Sequence, residues 1–202
     1  MISVSNIAWD ITLDDEVARI LNNYNISHID IVPNKYFKTP GSVSIEKILT
    51  IKNYWNSKGI KPYGMQSLLF GTKNLNVFGS SISQERLLEH LSHICRIGRT
   101  LGAKKLVFGS PRNRDRSLLD DKQTLLTART FFKRLGALAE QNGVTICLEP
   151  NPKSYQSNFM TTSIETAEIV MEVNHPHIQM QLDVGAMNIN NEVPMEVIKI
   201  VA

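Results

Sequence analysis

HIQMQLDVG, residues 177–185, alternates along its length: Ile178, Met180 and Leu182 fall on one face of an extended chain, and Gln179, Gln181 and Asp183 fall on the other. VTICLEP at 144–150 repeats the pattern, with Val144, Ile146 and Leu148 opposing Thr145, Cys147 and Glu149. An open parallel sheet covered by helices on both sides makes both sets of side chains apolar. A polar stripe on one face suits instead the wall of a barrel lumen that leads up to a site.

Similar strand-like runs occur at NIAWD (6–10), HIDIVP (28–33), KPYGMQSLLF (61–70) and KKLVFG (104–109). Segments with helical spacing lie between and beyond them, at about 14–24, 45–57, 83–101, 120–142, 162–174 and 192–201. Ser81-Ile-Ser-Gln84 and Thr162-Ser-Ile-Glu165 fit the capping box, and Gly59, Gly102 and Gly143 stand where helices should stop. Strands alternating with helices of this length imply parallel pairing, and no G-x-G-x-x-G or Walker loop follows any strand. The reading is an α/β fold, a (β/α) TIM-barrel-like domain over 1–202 with six of the eight βα units. It is incomplete at the C-terminus, where the half-apolar helical segment MEVIKIVA would ordinarily lead into a seventh strand.

With 202 residues, 42% of them hydrophobic, the chain can bury a sizeable core in one domain. No apolar run approaches the roughly 18 residues that span a membrane, and the N-terminus lacks the basic-then-apolar order of a signal peptide, so a cytoplasmic location is expected. Cys95 and Cys147 sit in apolar patterns and read as two reduced, buried thiols. The net charge of +3 admits an anionic small molecule and gives no broad electrostatic footprint for nucleic acid.

Glu149 and Asp183 are each expected as the last inward-pointing residue of a strand, where parallel barrels build their active sites. Either one alone fits a carboxylate that caps a loop amide or pairs with an arginine. Together, on neighbouring strands at one level, they repel unless a cation or a proton lies between them. Hard divalent ions such as Mg²⁺ and Mn²⁺ take such oxygen ligands, so a metal site is the favoured reading.

LEPNP at 148–152, LDVGAMN at 182–188 and VFGSPRNRDR at 107–116 resemble the sugar phosphate isomerase/epimerase group of the xylose-isomerase-like barrels, whose wider fold includes the endonuclease IV type of DNA-repair enzyme. The resemblance runs over essentially the whole chain. It implies a divalent metal, Mn or Mg with Zn as a third candidate, held by a Glu ending strand five, an Asp ending strand six, a His from strand seven and a Glu from strand eight. The two Glu would also act as acid and base. Glu149 and Asp183 match the first two ligands, and the other two have no counterpart here. Many relatives carry Asp-x-x-His where this chain has Asp183-Val-Gly-Ala186, which speaks against histidine-assisted variants of the chemistry.

After strand four the loop SPRNRDR carries Arg112, Arg114 and Arg116. Guanidinium forks match phosphate geometry, so the loop reads either as a clamp for a sugar phosphate or as a solvated segment neutralised by Asp115, Asp120 and Asp121. Gln66 and Asp30 read as lumen residues that touch substrate or simply as hydrogen-bonded interior polar groups. Asn151, Lys153 and Tyr155 follow Glu149 and either shape the pocket or are ordinary loop residues.

The resemblance and the carboxylates lead to one expected function: divalent-metal-dependent isomerisation or epimerisation of a ketose or sugar phosphate, with Glu149 removing the proton beside the carbonyl. A relative that only binds a ligand is the alternative. A repair nuclease ranks last, because His28 and His177 open strands at the opposite face, His175 precedes one, and His90 and His93 lie within a helix. With two of four metal ligands and the far acid missing, negligible turnover by the isolated chain is expected. The two open barrel edges are expected to invite self-association.

Overall fold

The computed structural model describes residues 1–201. Six strands, β1 (Val4–Ser5), β2 (His28–Ile31), β3 (Lys61–Met65), β4 (Lys105–Phe108), β5 (Thr145–Leu148) and β6 (Ile178–Met180), form one sheet in chain order, every neighbouring pair parallel. The helices are α1 (Asp14–Asn23), α2 (Pro33–Tyr36), α3 (Ile45–Ser57), α4 (Ser81–Leu101), α5 (Asp121–Gln141), α6 (Ser163–Val173), α7 (Val184–Ile189) and α8 (Pro194–Val201). The sheet is open, as a partial barrel requires: β1 and β6 each have a single strand neighbour. No helix among the described residues is long and apolar enough to cross a membrane.

One face of the sheet makes the core. Leu106, Phe108, Ile146 and Leu148 are buried, and Phe108 meets Phe132 of α5 edge to face with ring centroids 5.5 Å apart. Gly98 lets α4 settle onto Leu106 and Met65, since a Cβ there would lie 3.2 Å from Leu106. The opposite face keeps the expected polar stripe: Lys105 Nζ reaches over β5 to donate to Gln179 Oε1 at 2.7 Å. Cys95 and Cys147 are free and buried, and burial pushes the Cys95 thiol up to about 12.

Several boundaries differ from the sequence reading. NIAWD is not a strand: β1 is Val4–Ser5, and Asn6–Ala8 is a 3-10 turn. Ser5 Oγ accepts from Ile7 N and Asp10 Oδ1 from Thr12 N, so local side-chain bonds turn the chain before it can pair further. The run at 61–70 leaves the sheet after Met65, and Ser67 takes a left-handed φ of +54°. Helix α4 is capped by Ser80, one residue earlier than expected. Thr162 caps α6, but the Glu165 carboxylate accepts from Met160 N and Thr161 N instead of closing a box. A full capping box forms at Asp120 and Gln123. Gly59, Gly102 and Gly143 have φ of +76°, +88° and +62°, as helix stops require.

Exposed apolar side chains are spread over the chain, and the segments next to the two edge strands carry some of them. Met1, Ile2 and Ile7 flank β1, while Val184, Met195, Ile198 and Ile200 belong to the helices that follow β6.

Candidate active site at the C-terminal ends of the strands

Glu149 stands one residue beyond β5, its N–H still bonded to Phe108 O of β4 at 3.1 Å. The register pairs Phe108 with Leu148, which sets Gly109 beside Glu149. The side chain uses that opening, because a Cβ on Gly109 would fall 1.9 Å from Glu149 Oε2. Gly109 carried no weight in the sequence reading, although a glycine directly after an apolar strand end is the signal that marks close approach of a neighbour.

Around Glu149 the amide of Asn151 is held in one orientation. Arg114, fully buried, donates from one terminal nitrogen to Glu149 O at 2.8 Å and from the other to Asn151 Oδ1 at 2.6 Å. An arginine has only donors, so Asn151 must turn its oxygen to Arg114 and its Nδ2 to Glu149 Oε2, 3.2 Å away. Oε1 is left without a protein partner among the described residues. Burial pushes the Glu149 carboxyl above its ordinary value, the Asn151 bond draws it back, and the charges of Asp183 and Arg114 act in opposite directions. Burial likewise lowers Arg114, to about 10, against the charges of Glu149 and Glu165.

Asp183 lies three residues past Met180 and serves as the N-cap of α7, an element absent from the sequence reading. Its Oδ1 accepts from Gly185 N at 2.8 Å and Ala186 N at 3.2 Å. The cap uses Oδ1, and the negative charge of Asp183 is felt at Glu149. Ala186 is buried in the first turn of that helix.

The other candidates separate. Gln66 lines the cavity at Glu149 and donates to the Ser5 hydroxyl. Asp30 is half-buried, its carboxylate resting over Gly64, where a Cβ would lie 2.4 Å from Oδ1, and burial raises its pKa. Arg112, Arg114 and Arg116 do not converge as a clamp. Arg114 points under Glu149, Arg116 donates to Asp121 at 2.5 Å and to Asn158 O at 3.0 Å, and Arg112 alone is exposed to a groove. Asn151 is buried in the Arg114 network, Lys153 is exposed on a 3-10 turn, and Tyr155 faces the same groove as Arg112. The histidines stand away from the site: His28 begins β2, His177 bonds Val144 O ahead of β5, and His90 bonds Leu68 O from α4.

Against metal chemistry the two carboxylates offer a partial fit. Glu149 Oε1 and Asp183 Oδ2 are hard oxygen donors, and the negative charge of Asp183 raises the cost of ionising Glu149 unless a cation intervenes. Among the described residues no third His, Cys, Asp or Glu joins them in a metal-holding group.

A family model described as xylose isomerase-like TIM barrel matches residues 23–201. The chain belongs to this family. Comparison with curated proteins returns no match. Among solved structures, the xylose isomerase-like chain is similar to a D-psicose 3-epimerase from Clostridium cellulolyticum H10 solved with D-tagatose, at a TM-score of 0.77 and 14% identity, over 98% of this chain and 68% of that one. It is also similar to the 3-keto-D-glucoside 4-epimerase YcjR from E. coli, at 0.75 and 16%, over 98% and 73%. A third is the IOLI protein solved with a bound zinc atom, at 0.73 and 18%, over 98% and 68%. At these identities the likeness is one of fold.

Proposed function

We propose that the chain is a divalent-metal-dependent sugar isomerase or epimerase that acts on a ketose or sugar phosphate by removing the proton next to the carbonyl. The observation that carries this reading is the Glu149 carboxylate, with Oε2 fixed by Asn151, Oε1 free, and the charge of Asp183 close enough to act on it. Sugar epimerases among the structural neighbours support the reaction class, and the zinc in the IOLI protein supports a metal.

Glu149 and Asp183 would hold the ion, for which Mn²⁺ or Mg²⁺ suits two carboxylates with water completing the shell, and Zn²⁺ is the third candidate. When bound, the ion supplies Lewis-acid polarisation of the substrate carbonyl. With one carboxylate oxygen of Glu149 on the ion, the other would take the proton and give it back. Leu68, Leu69 and Phe108 give the cavity beside it an apolar wall. A placed base of this kind contributes about 10² to 10⁴ in rate.

Exchange tests the base without requiring net turnover. In D₂O with Mn²⁺, a ketose should gain deuterium at the carbon beside its carbonyl, because abstraction needs only Glu149 and the polarising ion. Exchange that persists unchanged in Glu149→Gln would contradict the proposal. That no third such ligand joins the two among the described residues favours a second reading, a relative that binds a sugar and does no chemistry; Mn²⁺-dependent ketose binding with no exchange would select it.

A further inference from the structure

The cavity at Glu149, about 200 Å³, shares Leu69, Phe70, Ser110 and Pro111 with a groove of about 1120 Å³ lying over the loops that follow β3, β4 and β5. The loop after β3 is folded into tight turns, with left-handed φ at Ser67 (+54°), Gly71 (+81°) and Asn74 (+57°). It is also tied down. Asn34 Nδ2 donates to Phe70 O at 2.9 Å, and Asn113 Nδ2 donates to Leu75 O at 2.7 Å and to Thr72 Oγ1 at 3.2 Å. This anchored loop presents Phe70 at 72% exposure where cavity and groove meet.

Farther out, Lys73 and Arg112 line the groove from two different loops. Both are exposed, and among the described residues neither forms an ion pair. Asp115 also lines the groove, but its Oδ1 is taken by Ser117 N, Ser117 Oγ and Asn158 Nδ2. The groove therefore carries two cations without an ion pair against one carboxylate, whose Oδ1 is committed to local hydrogen bonds, and its lining is net positive. Arginine forks and lysine point charges are the usual partners of phosphate oxygens, and an aromatic face beside a few polar groups is the common wall of a small-molecule pocket.

We propose that the loop after β3 and the turn after β4 form a distal subsite for the anionic end of a phosphorylated sugar, Phe70 standing against the sugar and Lys73 with Arg112 holding the charged group. This rests on the isomerase reading and adds a direction to it: the reacting carbons lie at Glu149 and the anion lies outward, past Phe70. The groove is far larger than a phosphate, so the charge is gripped by two long side chains and not by a fitted socket, and the contact weakens as salt screens it.

Calorimetry of the 202-residue chain with D-fructose, D-fructose 6-phosphate and inorganic phosphate tests this. At low salt with Mn²⁺ present, the phosphorylated ketose should bind at least about tenfold tighter than fructose, the scale of one charge-assisted hydrogen bond. The double variant Lys73→Gln/Arg112→Gln, both positions being exposed, should erase that preference and leave fructose affinity unchanged. Phe70→Ala should weaken both sugars, and Phe70→Tyr should restore them. A phosphate preference that survives the double variant would overturn the subsite whichever sugars bind. Inorganic phosphate binding that is lost in the double variant, with no fructose binding in either protein, would support the anion site and overturn the isomerase reading.

Discussion

Gly109 and Glu149 occupy one space: a Cβ on residue 109 would lie 1.9 Å from Oε2 and 2.8 Å from Cδ of the carboxylate. The obstacle is the far end of a flexible side chain, so Gly109→Ala should be accommodated by swinging Glu149 away. Thermal unfolding should then change by no more than about 1 kcal/mol, while Mn²⁺ affinity should fall as far as it does in Glu149→Gln. Full Mn²⁺ affinity in Gly109→Ala would show that the position of Glu149 does not matter to the site.

Arg114 is expected to matter first for folding. Arg114→Ala strands Glu149 O and Asn151 Oδ1 and opens a cavity beneath the site, which should cost about 3–5 kcal/mol in denaturant unfolding. Arg114→Lys keeps the charge but supplies a single donor centre, and should fall between the two. A loss under about 1 kcal/mol for the alanine variant would mean that water replaces both bonds.

Glu149 sets a pH dependence whose sign follows from its raised pKa. The folded protein binds this proton more tightly than the unfolded chain, so the group's penalty is present above the raised folded pKa and disappears as pH falls toward 4.5, the ordinary value. Glu149→Gln should therefore melt higher than the parent at pH 7, and the difference should close on acidification. A difference that grows toward low pH would reverse the assignment of burial as the main cause.

How much of this was legible in the sequence depends on the range of the interactions involved. Period-two alternation at 144–150 and 177–185 exposes a polar lumen face, and helical spacing with glycine stops places α3 to α6 within two residues. NIAWD misleads because Ser5 and Asp10 bend an apolar segment through bonds two residues long. Helix α7 is hidden by its length of six residues and a glycine in its first turn, so the Asp183 cap reads as a strand end. The arginines sit at every second position, and that spacing carries no sign of which one turns inward; a 3-10 turn over Pro111–Arg114 buries Arg114 and leaves Arg112 outside. Phe70 ends the run 61–70 that reads as a strand but leaves the sheet after Met65, and Lys73 lies in the loop beyond it without periodicity, so nothing in the sequence marks either one for the proposed subsite.

Open edges should make the isolated chain associate. β1 and β6 present unpaired backbone, and Ile2, Ile198 and Ile200 are exposed near them at 67%, 42% and 60%. Sedimentation should show concentration-dependent oligomers, shifted to monomer by Ile2→Lys with Ile200→Lys. A parent chain that stays monodisperse and monomeric at high concentration would refute this expectation.

The most direct test of the central claim, that Glu149 and Asp183 share a divalent cation, is Mn²⁺ calorimetry on the parent chain and on Asp183→Asn. Asparagine keeps the oxygen that caps α7 and replaces the other oxygen with an amide nitrogen, so the fold is preserved while the charge and the free ligand oxygen are lost. Weak binding in the parent, lost in Asp183→Asn and in Glu149→Gln, is the expected result; equal Mn²⁺ affinity in the parent and Asp183→Asn would contradict the account.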